Sequence, residues 1–285
     1  MRYLFLFVSC VFLGACFGGG GGSAPPAPDL PIQDTSAVRS AVGGQPLNMT
    51  STQIRGEISR LETMTDGVSL SDIITSGGRL YAASRCSGAV CYVGGQRRTL
   101  QDLNLDLDYG PVMSRNGVAV VQAHQETPFG VGEQVADVLG GILDHSGFAT
   151  AAEYYQEAGS EYNPIAYGIA IGDSTGSVPR GGSATWRGVV TGANMASYEG
   201  IVGDATLRAD FSASNIDASF TNVHEMTTGA DRASIYFYNV PFTSDGFARG
   251  SGSNRIEGKF YGPGHVEAAG SFRRGSIVGA FGAAR

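Results

Sequence analysis

Charge is scarce in this chain. Only 16% of its 285 residues are charged, and 19 Lys and Arg face 26 Asp and Glu, for a formal net charge of −7. Nucleic-acid binding needs concentrated Lys and Arg. Arg97-Arg98 and Arg273-Arg274 are isolated pairs, expected as solvated strand ends, so nucleic acid is not a partner. Long apolar runs are also lacking. Tyr3 to Phe12 is too short to span a bilayer stably, and no later stretch has the make-up of a membrane helix.

Chemistry-bearing clusters are few. Of four histidines, His124, His224 and His265 are scattered and lack metal-type spacing. Asp144-His145-Ser146 holds the residue types of a hydrolase triad, but adjacent residues cannot all converge on one reacting atom. It is expected as a helix C-terminus with a solvated His. Asp102-x-Asn104-x-Asp106-x-Asp108 superficially resembles a calcium loop. It has no Gly for the sharp turn and no later bidentate Glu, and Leu103, Leu105 and Leu107 fill its gaps. A strand with a carboxylate-rich solvent face is expected instead. No catalytic residue and no metal site is assigned, and the chain is expected to be non-enzymatic.

What the chain does have begins at its N-terminus. Arg2, the apolar run and Leu13-Gly14-Ala15-Cys16 form a secretory signal over residues 1–15. A Cys at the cleavage point is similar to a bacterial lipobox, in which Cys16 takes palmitate-type acyl chains, each buried CH₂ contributing about 0.8 kcal/mol. Gly18 to Gly22 and Ser23-Ala24-Pro25-Pro26-Ala27-Pro28 then form a tether over residues 16–32. Fully stretched, such a tether spans roughly 50 Å. The partner implied is a membrane reached through the lipid anchor.

With Cys10 lost in the signal and Cys16 carrying lipid, Cys86 and Cys91 remain. They flank Ser87-Gly88-Ala89-Val90 between strand-like Leu80–Ala83 and Tyr92–Val93. A hairpin brings such positions within bridging distance, and an exported protein meets oxidising conditions, so a disulfide is expected. A free redox pair or a metal site is the weaker alternative, since no second pair of ligands lies nearby.

Residues 33–180 read as mixed. Thr52 begins a helix with Ile54, Ile58 and Leu61 on one face. Gly117 to Ala123 reads as a strand. Val135, Val138, Leu139, Ile142 and Leu143 make a helical stripe, and Thr150-x-x-Glu153 resembles the capping box of a further helix. Tyr154, Tyr155, Tyr162 and Tyr167 offer a contact surface or, as the favoured reading, rings packed against the body.

From Ser183 onward helical periodicity vanishes. Eight strands are expected: Trp186–Ala193, Ala205–Phe211, Ile216–Val223, Ala233–Val240, Phe247–Gly250, Arg255–Tyr261, Val266–Phe272 and Ile277–Phe281. In the last of these, Ile256, Gly258, Phe260, Ala268, Gly270 and Phe272 alternate with Glu257, Lys259, Glu267, Ser271 and Arg273. Eight short antiparallel strands favour closure into an up-and-down barrel over residues 181–285, which removes sticky edges. Phe260, Phe272 and Phe281 are expected inside.

Gly258-x-Phe260-Tyr261-Gly262-Pro263, followed by Gly279-Ala280-Phe281-Gly282-Ala283, resembles the closing strands of the transferrin-binding-protein-B-type β-barrel of Gram-negative surface lipoproteins. The resemblance covers Ser183 to Arg285. It implies a mainly β protein with a mixed β/α handle before a C-terminal eight-stranded barrel, in a single-lobe arrangement. It also implies an outer-membrane, cell-surface location and display of ligand-binding loops. The ligand would be a host or environmental protein, or haem or iron passed to a TonB-dependent receptor; transferrin itself does not carry over. Haem, the one cofactor in view, finds no specific residue, with a histidine or Tyr236 or Tyr238 as the only axial candidates. The alternative is a structural envelope lipoprotein without a small-molecule ligand.

Overall fold

The computed structural model describes residues 40–285 except 76–77, 81–84, 88–89, 94–95, 99–107, 110–111, 130–131, 158–159, 175–177, 179 and 198; the side chains of 69–110, 125–134 and 154–164 are likewise outside the description. The signal, lipobox and tether readings, Cys16 among them, and the strand expected over Leu103–Leu107 lie outside the described residues.

One long helix and two large sheets dominate the described residues. Helix α1 spans Ser51–Glu62, and Thr50 caps it: its side chain accepts from Gln53 N while the Gln53 side chain accepts from Thr50 N. Ile54 and Leu61 are its buried residues. The first sheet is built from β1 (Gln45–Leu47), β2 (Asp66–Thr75), β3 (Gly78–Leu80), β7 (Asp108–Tyr109), β8 (Val112–Arg115), β9 (Val118–Phe129), β10 (Gly132–Ile142), β11 (Ser146–Glu157) and β12 (Ser160–Gly172). Its order is β1-β8-β9-β10-β11-β12-β2-β3, with β7 on β9. Between β3 and β7 a small sheet holds β4 (Arg85–Ser87), β5 (Val90–Val93) and β6 (Gln96–Arg98).

The second sheet comprises β13 (Ser183–Asn194), β14 (Glu199–Asp210), β15 (Asn215–Glu225), β16 (Asp231–Arg232), β17 (Ile235–Pro241), β18 (Gly246–Ser251), β19 (Asn254–Tyr261), β20 (Glu267–Arg274) and β21 (Ile277–Ala284). All eight strands expected from alternation are present. They run up and down, and β13 pairs with β21 to join the ends of the chain's second half. Trp186, Phe220, Phe260, Phe272 and Phe281 fill the interior, all buried; for Phe260, Phe272 and Phe281 their phase predicts it. Closure is incomplete, however. Between β17 and β18 the ladder shrinks to one bridge, Phe242–Phe247, so the sheet is barrel-like with a single seam.

The handle corrects three readings. Val135–Leu143 is strand β10, not helix, and Thr150–Glu153 lies within strand β11. Both faces of this sheet are covered. Leu139 and Leu143 pack with barrel residues Val189, Val202, Ala269 and Ala280. Val138 and Ile142 pack on the opposite side with Leu61 of α1, Ala149 and Ile169. A strand buried on both faces loses its alternation, and its apolar spacing then imitates a helix. Asp144-His145-Ser146 is accordingly a tight bend between β10 and β11, closed by Leu143 N donating to Ser146 O at 2.9 Å.

The same packing overturns the expected solvent phase of the last strands. Every residue of β20 except Arg274 is buried. Glu267, Ser271 and Arg273, placed in solvent by their polar phase, are 3%, 0% and 2% exposed because they face the handle. Of the Arg273-Arg274 pair only Arg274 is a solvated strand end.

Candidate functional site

The seam is where the barrel departs from closure, and local sequence explains why. Asn239 takes a left-handed φ of 53°, a conformation Asn tolerates better than most residues. Its N–H donates to Asp217 Oδ1 at 2.7 Å, and the β15–β17 register shifts between Ile216 and Ala218. Such a bulge twists a strand away from its neighbour. On the other bank, Gly250 has φ 88°, and a Cβ there would stand 1.9 Å from Asn254 O; the tight β18–β19 turn requires glycine.

A cleft of about 340 Å³ results, open to solvent. Tyr236 and Tyr238, two residues apart on β17, project from the same side of the strand and stack, ring centroids 5.6 Å apart and 7° from parallel. They are 38% and 53% exposed and, with Leu47, are the exposed large hydrophobic residues among those described. Two guanidiniums stand opposite. Arg249 donates to Tyr238 O; Arg274 donates to Asn254 Oδ1 and lies 5.7 Å from the Phe237 ring centroid. No carboxylate lines the cleft. In a chain of net charge −7, this is a cationic and aromatic spot.

The sequence-predicted candidates fall elsewhere. His124 Nδ1 is 2.7 Å from buried Asp137, His224 Nδ1 is 2.8 Å from Asp231, and the carbonyl of His265 accepts from Trp186 Nε1 at 2.8 Å. They do not converge, and among the described residues no group of three or more His, Cys, Asp or Glu could hold a metal. Tyr167 is buried and donates to Glu153 at 2.5 Å, so this ring packs; Tyr154, Tyr155 and Tyr162 have side chains outside the description. Cys86 and Cys91 are directly opposed in the β4–β5 hairpin. Contrary to the expectation that no Gly-x-Ser-x-Gly elbow appears, such a run is present at residues 172–176. Its Ser174 bridges to Tyr261, and the next element among the described residues is strand β13, whereas a nucleophile elbow joins a strand to a helix.

A second region joins the two halves of the chain. Ser146 Oγ donates to Glu267 Oε2 at 2.7 Å, and His145 N donates to both carboxylate oxygens at 3.0 and 3.1 Å. Burial pushes the Glu267 pKa up, and those hydrogen bonds only partly oppose it. Arg115 Nε and Asn116 Nδ2 both reach Asp204 Oδ1 at 2.8 Å. Burial raises the Asp204 pKa, but hydrogen bonds from Arg115, Asn222 and Asn116 and the Arg115 charge outweigh it, leaving it below the usual value. Glu267 and Asp204 of the second half are thus each held by donors from the first half.

The fold and seam thus define a mainly β protein, with a handle sheet and helix docked on a nine-stranded barrel-like sheet that carries a surface cleft. No protein-family model matches the chain, and no curated protein matches it. Among solved structures, it is similar to intact transferrin-binding protein B, Ap-TbpB with N and C lobes, at 16% identity and a TM-score of 0.41, covering 76% of this chain and 46% of that one. A double mutant of the vaccine antigen transferrin-binding protein B of Haemophilus parasuis Hp5 gives 14% identity and a TM-score of 0.43, covering 76% and 44%. The chain spans less than half the length of either.

Proposed function

We propose that this chain is a non-enzymatic, lipid-anchored surface protein of a Gram-negative outer membrane that binds a ligand on its barrel. The observation that carries this reading is the seam, where stacked, exposed Tyr236 and Tyr238 meet two guanidiniums on an otherwise closed scaffold. Exposed aromatic patches mark interaction sites, and Tyr supplies contact area at low entropic cost. A structural envelope lipoprotein would have no use for such a patch. Anchoring rests on Leu13-Gly14-Ala15-Cys16 and the tether after it. The ligand class is a host or environmental protein or a haem or iron source, with a TonB-dependent receptor as the acceptor.

Opposed residues in an antiparallel ladder have Cα atoms about 4.5–5.5 Å apart, which suits a Cys86–Cys91 bridge. A pull-down with the whole chain against serum proteins, alongside titration with haemin, tests the binding function. Capture that is lost in a Tyr236→Ala/Tyr238→Ala variant supports it. Absence of any ligand in both assays favours the structural alternative.

A further inference from the structure

We infer that the seam cleft is a binding site for a ring-bearing carboxylate. The inference deepens the ligand-binding reading and rests on it. Three independent features coincide there. The β17–β18 ladder is reduced to the Phe242–Phe247 bridge, which opens the wall at the other end of the two strands. Tyr236 and Tyr238 stack on each other and still keep much of their surface in water, so their outer ring faces are available to a flat partner. Arg249 and Arg274 bring two positive charges to a lining without a carboxylate.

The guanidiniums define the charged end of the ligand. Each now donates to a neutral oxygen of the cleft's own wall, Tyr238 O for Arg249 and Asn254 Oδ1 for Arg274. A guanidinium and a carboxylate are charged on both sides of the bond, and the planar fork fits two oxygens at once, which a single neutral oxygen cannot offer. A carboxylate therefore replaces weaker contacts with stronger ones and leaves no buried donor unmatched. The amides of Asn239 and Asn254, each both donor and acceptor, suit hydroxyls on the ring. A volume of about 340 Å³ lies at the low end of small-molecule pockets, which start near roughly 300 Å³; it has room for one ring. Sugar acids and aromatic acids share this chemistry.

Calorimetric titration of the whole chain with glucuronate and with 4-hydroxybenzoate separates the two sources, with glucose and benzyl alcohol as neutral counterparts. One acid should bind at a single site, at least tenfold tighter than its neutral counterpart. Arg249→Gln and Arg274→Gln should each weaken it tenfold or more. Tyr236→Ala/Tyr238→Ala, at two exposed positions, should weaken it with the thermal melt unchanged. Arg55→Gln, at an exposed position of helix α1 in the handle, should bind like the parent. Binding of neither acid, equal binding of the neutral compounds, or unaltered binding by the arginine and tyrosine variants overturns the inference. Failure here, in a chain that still captures a protein or haemin, removes this cleft assignment and leaves the broader reading standing.

Discussion

Lys259 Nζ lies 2.7 Å from both carboxylate oxygens of Asp66, so the only lysine in the chain ties barrel strand β19 to handle strand β2. Asp245 completes the clamp at 2.6 Å. Burial lowers the Lys259 pKa, but the hydrogen bonds and charges of Asp245 and Asp66 outweigh it and hold it above the ordinary value. Two consequences can be measured. Lys259→Met leaves two carboxylates without their cation and should destabilise the chain by about 2 kcal/mol in chemical denaturation. An amine-acylating reagent should modify Lys259 much more slowly in the native chain than in denaturant. Equal labelling rates would show that the clamp does not form.

The interface carboxylates titrate in opposite senses. The Glu267 pKa is raised by burial, so folding favours its protonated form. That contribution is complete below the unfolded value of 4.5 and is lost as pH rises through the higher folded value. Asp204 and Asp245 have lowered values; for Asp245 the Lys259 hydrogen bond is the largest cause. Their contribution is complete above the unfolded value of 3.8 and is lost as pH falls through the folded values below it. Glu267→Gln should therefore flatten the stability–pH profile just above pH 4.5 and leave the acid limb intact. An unchanged upper limb in denaturation series across pH would refute the assignment.

Close approach of the halves depends on glycine. A Cβ at Gly168 would stand 2.1 Å from Gly279 O, so Gly168→Ala must push β12 off β21. Overpacking of this kind costs about 1–3 kcal/mol, and thermal melts should fall accordingly. The interface also bears on whether the barrel stands alone. Val278, Ala280, Ala269 and Ala193 are buried on its outer face, so a 181–285 fragment exposes them. It should show β-type circular dichroism yet self-associate in size-exclusion chromatography. A monomeric fragment would mean that the handle covers less than described.

Phe281 sits at 0% exposure against Phe220 and Phe247, with ring centroids 5.2 and 6.3 Å away. Phe281→Ala should cost about 3–5 kcal/mol, read from chemical denaturation of the whole chain. A variant as stable as the parent would place the ring outside the core.

The barrel was legible because its strands bury one face: Ala205, Leu207 and Ala209 are buried while Arg208 and Asp210 are exposed, and alternation survives. In the handle, helix α1 and strand β9 were legible too, but β10 and β11 were not, because they are sandwiched between α1 and the barrel. The two-residue period vanishes when both faces are apolar, and Val135 to Leu143 then matches a helix by chance. The polar phase of β20 misled for a related reason, since Glu267 and Arg273 are polar residues of a buried interface. The seam was hidden because a missing strand pairing leaves no mark on either strand's own periodicity. Nothing in the sequence places Arg249 and Arg274 beside Tyr236 and Tyr238, because the four residues come from strands β17, β18 and β20 that meet only in the fold.

The most direct test of the account is labelling of intact cells with an antibody to the barrel, combined with mass analysis of the mature N-terminus. A chain that begins at an acylated Cys16 and stains unpermeabilised cells, with both lost in Cys16→Ala while the secreted body stays folded, is the predicted result. An unmodified Cys16, or staining that requires permeabilisation, would contradict a lipid-anchored protein displayed at the cell surface.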